Sequence, residues 1–187
     1  MPLTEEEVLR EHVYHSNAIE GIASDPHSPH FYSHLHATRC VALGFLIHPN
    51  YIHNLVGHCV PELCLHKGVL RTTNVTVGAR PMPHYSHVPK LMNDWVRLVA
   101  EYQNTRQEKT EGDVARAANL IHDIFLCIHP YKDGNGRTAR LIKNMLRAHK
   151  GLPWSIDYFE NRAWYYQGIA YTEDRLFKKK YPDVYQE

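Results

Sequence analysis

Apolar residues recur at helical spacing over residues 113–128, where Val114, Ala117, Ala118, Ile121, Ile124, Phe125 and Ile128 fall at i, i+3, i+4 and i+7. Asp113, after Gly112, is the expected N-cap, and Pro130 stops the helix at about His129. A second helix is predicted over about 136–149, with Leu141, Ile142, Met145 and Leu146 on its apolar side and Gly151 and Pro153 ending it. Coarser patterns predict helices at about 5–19, 30–47, 50–66, 87–104 and 158–175. Thr4 with Glu7 three residues later reads as a capping box for the first of these. Residues 22–29 read as a loop and 105–112 as a polar connection. One stretch breaks the helical pattern. Residues 68–78 alternate β-branched and polar side chains before Pro81 and Pro83, which predicts a short hairpin. The expected architecture is all-α with one short β-hairpin, as a single domain over 1–187.

Composition narrows the class without deciding it. The 43% hydrophobic and 22% charged content are those of a soluble globular protein. A net charge of +1 gives no case for nucleic-acid binding, and no apolar run is long enough to span a membrane. The acidic start does not read as a signal peptide, and Cys40, Cys59, Cys64 and Cys127 form no Cys-x-x-Cys pair. Reduced thiols and a cytoplasmic location are therefore expected. Asn74-Val75-Thr76 is a glycosylation sequon that carries little weight without a secretory signal. Fifteen histidines include a cluster at His27, His30, His34 and His36, whose spacing matches no specific metal site.

The chemistry concentrates in residues 129–140, His-Pro-Tyr-Lys-Asp-Gly-Asn-Gly-Arg-Thr-Ala-Arg. Gly134, Asn135 and Gly136 sit where a helix opens, so unpaired backbone N–H groups and the positive dipole end make an anion nest. Arg137 and Arg140 are three apart in the first turn and lean back toward the same polyphosphate. Asp133 is a hard oxygen ligand at the rim, suited to Mg²⁺ bridging phosphates. His129, as a neutral imidazole near its ordinary pKa, can take a proton from a hydroxyl. A P-loop and a dinucleotide fingerprint are both excluded by spacing and by the preceding helix.

These twelve residues resemble the signature of Fic-domain proteins, His-Pro-Phe-x-Asp/Glu-Gly-Asn-Gly-Arg-x-x-Arg, with Tyr131 in place of Phe. The resemblance covers about 13–172. It implies AMP transfer from ATP to a Ser, Thr or Tyr hydroxyl of a target protein. His129 would be the base, Asp133 the Mg²⁺ ligand, Gly134, Asn135 and Gly136 the anion nest, Arg137 a phosphate contact and Arg140 the γ-phosphate contact. Gly136 argues against the Doc branch, where Lys stands there and the target is phosphorylated. Transfer of UMP or phosphocholine stays open.

Three further segments gain meaning from the same resemblance. Ser16-Asn17-Ala18-Ile19-Glu20-Gly21 is similar to the family's inhibitory motif, so helix 1–21 would place Glu20 on Arg140; otherwise it is a helix end with a glycine cap. In some relatives that glutamate also supports removal of AMP. Residues 68–83 would be the flap that pins the target segment, with Val75, Thr76, Val77 and Gly78 its working part. Tyr165 and Tyr166 are candidates to meet the adenine, or are ordinary helix aromatics, and Glu173 stands about where some relatives carry an adenine-contacting Asn. The implied cofactor is Mg²⁺ and the implied partners are ATP and a protein with an accessible hydroxyl; a homodimer is allowed for. The competing reading is a catalytically silent module that binds a nucleotide or peptide in the same groove.

Overall fold

The computed structural model describes residues 4–22, 25–44, 48–58, 60, 63, 65–105 and 110–185. Its helices are α1 (Glu5–Ile19), α2 (Pro29–Ala42), α3 (Pro49–Val56), α4 (Val88–Asn104), α5 (Glu111–Ile128), α6 (Asn135–His149) and α7 (Arg162–Thr172). A π-helical turn, Glu173–Phe177, and a last helical turn, Lys178–Lys180, extend α7. The mainly helical class with one hairpin is as expected.

Local chemistry sets the helix ends. Thr4 and Glu7 close the capping box on α1, with Thr4 N–H donating to Glu7 Oε2 at 2.7 Å. Gly21 at φ 71° ends α1, and Ile22 N–H reaches back to Asn17 O at 3.1 Å. The N-cap of α5 is Thr110 rather than Asp113. Thr110 and Asp113 form a reciprocal capping box, so Asp113 lies inside the first turn and Gly112 is simply tolerated there. α2 stops at Ala42, short of the expected 47, because Gly44 takes φ 77°. α3 stops at Val56 with Gly57 as its cap, while Cys59 and Cys64 lie outside the described residues.

The hairpin is shorter and later than the alternation predicted. β1 (Thr76–Val77) pairs antiparallel with β2 (Arg80–Pro81), Thr76 opposite Pro81 and Val77 opposite Arg80. Residues 68–75 form no strand: Gly68 N–H donates to His53 Nδ1, Val69 N–H to His66 O and Arg71 N–H to Pro130 O at 2.9 Å, so these groups are bound outside a ladder.

At the centre α5 and α6 pack on each other, flanked by α4 and α7 on α5 and by α2 and α3 on α6. Their seam buries Ile121, Phe125, Leu141, Ile142 and Leu146, joined by Trp95 of α4 and Ile52 of α3. α1 is fastened differently. A small cluster of Val13, Phe31 and Leu35 joins it to α2, and the rest of its buried face is largely polar: His12, His15, Ser16 and Asn17. Each buried aliphatic or aromatic side chain contributes about 1.5–3 kcal/mol, so α1 is held by less apolar burial than the central pair. No described helix is long and apolar enough to cross a membrane.

Candidate active site

The loop between α5 and α6 carries the motif in a wound, cross-braced form. His129 caps α5 in the left-handed region, φ 51° and ψ 62°, the one non-glycine residue with positive φ among those described. Gly134 at φ 74° opens α6, where a Cβ would stand 3.2 Å from His53 Nε2. Asn135 is buried and uses its side chain to brace the loop: Oδ1 accepts from Tyr131 N–H and Nδ2 donates to Tyr131 O, each at 2.9 Å. Its contribution to an anion nest is therefore its backbone. Tyr131 is buried, stacks on His53 at 3.8 Å, and donates its hydroxyl to Asn50 Oδ1 at 2.7 Å. Asn50 thus accommodates the hydroxyl that distinguishes Tyr131 from Phe.

His53 is a strut from outside the motif. Its Nε2–H donates to Asp133 O at 2.8 Å and its Nδ1 accepts from Gly68 N–H at 2.7 Å. Only the neutral ring can make both bonds, and burial lowers its pKa to about 4. The Asp133 carboxylate is exposed at the loop rim, with Oδ1 accepting from Gly134 N–H at 2.5 Å. No described group of three or more His, Cys, Asp or Glu could hold a metal. Asp133 alone fits an ion that takes its remaining ligands from phosphate and water, as Mg²⁺ does.

Arg140 is fully buried, and its hydrogen-bond acceptors among the described residues are all oxygens. Nε donates to Ser16 Oγ at 2.7 Å, Nη2 to Ser16 O at 2.9 Å and to Glu20 Oε1 at 2.6 Å, and Nη1 to Tyr165 OH at 2.9 Å. Burial opposes its charge, but Tyr165 and Glu20 more than offset this and hold its pKa above the ordinary value. The Glu20 carboxylate also covers the start of α6: a Cβ on Gly136 would collide with Glu20 Oε1. Ser16, Glu20, Gly136 and Arg140 are therefore one contact set. Arg137 does not join them. Its side chain is buried toward α2, with Nη1 at 3.1 Å from His30 Nδ1. The two arginines of the first turn diverge rather than converge.

A cavity of about 580 Å³ opens in front of this set. His129, Gly136 and Glu20 form one side, Val77, Gly78 and Arg80 of the hairpin another, and Tyr165, Tyr166 and Ile169 of α7 the third. Val75 and Thr76 line a separate cleft of about 570 Å³ with Lys132. The hairpin residues expected to act together thus face two spaces. Tyr165 accepts from Arg140 and lies 3.1 Å from His122 Nε2, while Tyr166 donates to Ile19 O at 3.2 Å and so holds the end of α1.

The His129 ring differs from expectation in its proton affinity. Burial first, then the Arg71 charge, lower its pKa to about 4, against smaller opposing effects of Glu20, the Leu126 main chain and Asp133. The ring is therefore neutral at pH 7 and carries a basic nitrogen.

Sequence reasoning missed Arg71, Arg80 and His53, which no local motif marks. It noted Glu173 without its role: this buried carboxylate, in the π-helical turn, accepts from Arg80 at 2.8 Å and from Tyr185 OH at 3.0 Å, anchoring β2 of the hairpin. Of the histidine cluster, His34 is buried with Nδ1 at 2.9 Å from Asn17 Oδ1, and His30 meets Arg137.

A helical fold that presents this loop between two packed helices beside a short hairpin is a Fic fold. The Fic/DOC family model matches residues 47–146, more than half the chain, and the chain belongs to that family. It is 34% identical over 103 residues to the protein adenylyltransferase fic-1 of Caenorhabditis elegans, covering 54% of this chain and 19% of that protein. It is 30% identical over 112 residues to a Fido domain-containing protein of Dictyostelium discoideum, covering 60% of this chain and 75% of that one. The solved structure of Caenorhabditis elegans Fic-1 superposes with a TM-score of 0.69 at 26% identity, over 89% of this chain and 56% of that one. A Fic-domain signaling protein of Bacteroides thetaiotaomicron shares the fold, with a TM-score of 0.66 at 19% identity over 88% of this chain and 71% of that one. The chain spans about a fifth of the length of the worm adenylyltransferases it matches.

Proposed function

We propose that this protein transfers AMP from ATP to a hydroxyl side chain of a target protein, and that Glu20 restrains the reaction in cis. The observation that carries this reading is the Glu20–Arg140 contact, 2.6 Å long and seated over Gly136. A carboxylate there has the charge sign and position of a phosphate on the same helix N-terminus. It competes for Arg140 and shifts ATP out of line for attack.

In the transfer step the target oxygen bonds to the α-phosphorus, its proton passes to the basic nitrogen of His129, and the bond to the β-phosphate bridging oxygen breaks to release pyrophosphate. His129 supplies proton acceptance and position. The N-terminus of α6 and Arg140, once released, supply charge neutralisation. Asp133 would hold Mg²⁺, which when bound neutralises phosphate charge. Tyr165, Tyr166 and Ile169 offer the walls for a nucleoside, and Val77 and Gly78 an exposed strand edge for the target segment.

Removal of AMP from the modified hydroxyl is a second activity of the same site, supported by one observation: Glu20 and His129 line one cavity, so the carboxylate can orient a water toward the ester.

The test is intact mass of Glu20→Gly after incubation with ATP and Mg²⁺, beside Glu20→Gly/His129→Ala. An AMP-sized adduct on the single variant alone supports transfer, restraint and the base together. A phosphate-sized adduct points to the Doc-like reaction. Nucleotide binding with no adduct on itself or on cell-lysate proteins sinks the reading in favour of a silent module. Adding unsubstituted protein to the purified adduct tests removal, which would return the unmodified mass.

A further inference from the structure

Arg71 is a buried guanidinium bonded entirely to main chain. Nε donates to His129 O at 2.8 Å, Nη2 to Pro83 O at 2.5 Å and Ile128 O at 3.4 Å, and Nη1 to Thr73 O at 3.0 Å. Its own N–H donates to Pro130 O at 2.9 Å. It is 5% exposed and makes no ion pair among the described residues.

These acceptors belong to three places. Ile128 and His129 are the end of α5 and the base itself. Thr73 and Pro83 are the two stems on either side of the β1–β2 hairpin. Pro130 is the first residue of the motif loop after the base. Burying a cation without a counter-ion is costly, and an apolar residue would fill the volume more favourably. The compensation here is geometric. The carbonyls at the end of α5 carry partial negative charge, and a planar fork with five donors can bridge them to both hairpin stems. An ammonium at the same place offers three donors from one atom and cannot span acceptors on two sides.

Resting on the transfer reading above, we propose that Arg71 is a positioning residue of the reaction. It holds His129 in its left-handed backbone conformation and fixes both stems of the hairpin to that same residue, so that the base and the target-binding edge keep one spacing. A left-handed conformation at a histidine is unfavourable by itself and persists only where the surroundings impose it. The Arg71 bond to the His129 carbonyl is one such constraint. The same guanidinium lies close enough to disfavour protonation of the His129 ring, where it acts with burial against Glu20 and Asp133; Arg80, Tyr165 and Tyr166 face the same cavity.

The experiment uses Glu20→Gly as parent, with Arg71→Lys and Arg71→Gln added separately. Arg71→Lys should lower kcat by about tenfold or more, leave KM for ATP nearly unchanged, and leave the acid limb of the pH profile in place because the charge is kept. Arg71→Gln should lower kcat and also move that limb upward. Hydrogen exchange in both should speed up at the His129 and Met82 amides while Leu141 stays protected. A lysine variant with parental kcat, or unchanged exchange at His129 and Met82, overturns the proposal. If the parent shows no transfer, the functional reading fails separately. The exchange pattern, together with the titration of the His129 ring followed by NMR in the two variants, then decides Arg71. An unfolded glutamine variant leaves the lysine variant to decide it.

Discussion

His12 of α1 and His34 of α2 meet edge to face in the seam between the two helices, their ring centroids 5.7 Å apart. Both are fully buried, and the Nε2 atom of each has no hydrogen-bond partner among the described residues. The other nitrogens are engaged: His34 Nδ1 with Asn17 Oδ1 at 2.9 Å, and His12 Nδ1 with Asn144 Nδ2 at 3.4 Å. Such a pair suits buried water and suits protonation badly.

That relationship predicts a pH-dependent grip on α1. Burial lowers the His12 pKa to about 3 and holds His34 well below the ordinary value. The charges that face them are mixed but mainly positive: Arg140 and Lys143 act against protonation of His12 and Asp157 favours it, while Arg137 and Arg140 act against protonation of His34. Because both pKa values are depressed in the closed state, the stability they contribute is present above about 6.5 and is lost as pH falls toward the closed-state values. Each unit below 6.5 favours the open form by up to about 1.4 kcal/mol per histidine. Amide exchange in α1 should therefore quicken from pH 7.5 to 5.5 relative to α5. His34→Gln should flatten the difference; an α1 that exchanges equally at both pH values after correction for intrinsic rates would refute this.

A methyl group at Gly136 separates the carboxylate from its seat. In the unsubstituted chain Gly136→Ala should be destabilising, because the new Cβ meets Glu20 Oε1 and Cδ. In Glu20→Gly the same change should cost less, because only Arg140 Nη1, 3.1 Å from the new Cβ, still crowds it, and the helix preference of Ala over Gly offsets up to about 1 kcal/mol. Thermal unfolding of the four proteins of this double-mutant cycle measures the difference. Additive effects would mean that Glu20 does not occupy the start of α6.

The proton affinity of His129 predicts the acid side of the rate profile. The depressed pKa of about 4 keeps the ring neutral and basic at all pH values above it. For the Glu20→Gly variant, kcat/KM for ATP should hold its plateau below pH 6 and fall only on approach to that value. A limb at the ordinary histidine value near 6.5 would refute this.

Tyr131→Phe should cost about 1 kcal/mol or less, since Asn50, its hydroxyl partner, is only partly buried and can turn to water. Transfer should be unchanged, because the ring rather than the hydroxyl stacks on His53. Chemical denaturation with an activity assay checks both. A large loss of activity would give the hydroxyl a role in holding the loop.

Residues 129–140 carried the family resemblance and the helix–loop–helix frame by themselves, because a His-Pro stop, an Asp-Gly turn and the arginines of a first helical turn at fixed offsets are local chemistry. Thr4-x-x-Glu7 and Pro130 likewise set helix ends through groups a few residues apart. The sequence also contained the candidate pair Glu20 and Arg140, separated by 120 positions. Only the packing of α1 on α6 brought that carboxylate onto Gly136. Where local chemistry was read too simply, neighbours decided otherwise: Thr110 capped α5 in place of Asp113, and within 68–75 Gly68 bonded to His53 and Arg71 to the motif loop instead of pairing in a strand. Arg137 was drawn toward α2 and His30, which spacing within α6 could not reveal. Arg71, His53 and Glu173 bear no motif at all. Their roles arise because buried polar groups must find partners, and which partners lie within reach is a property of the packed chain.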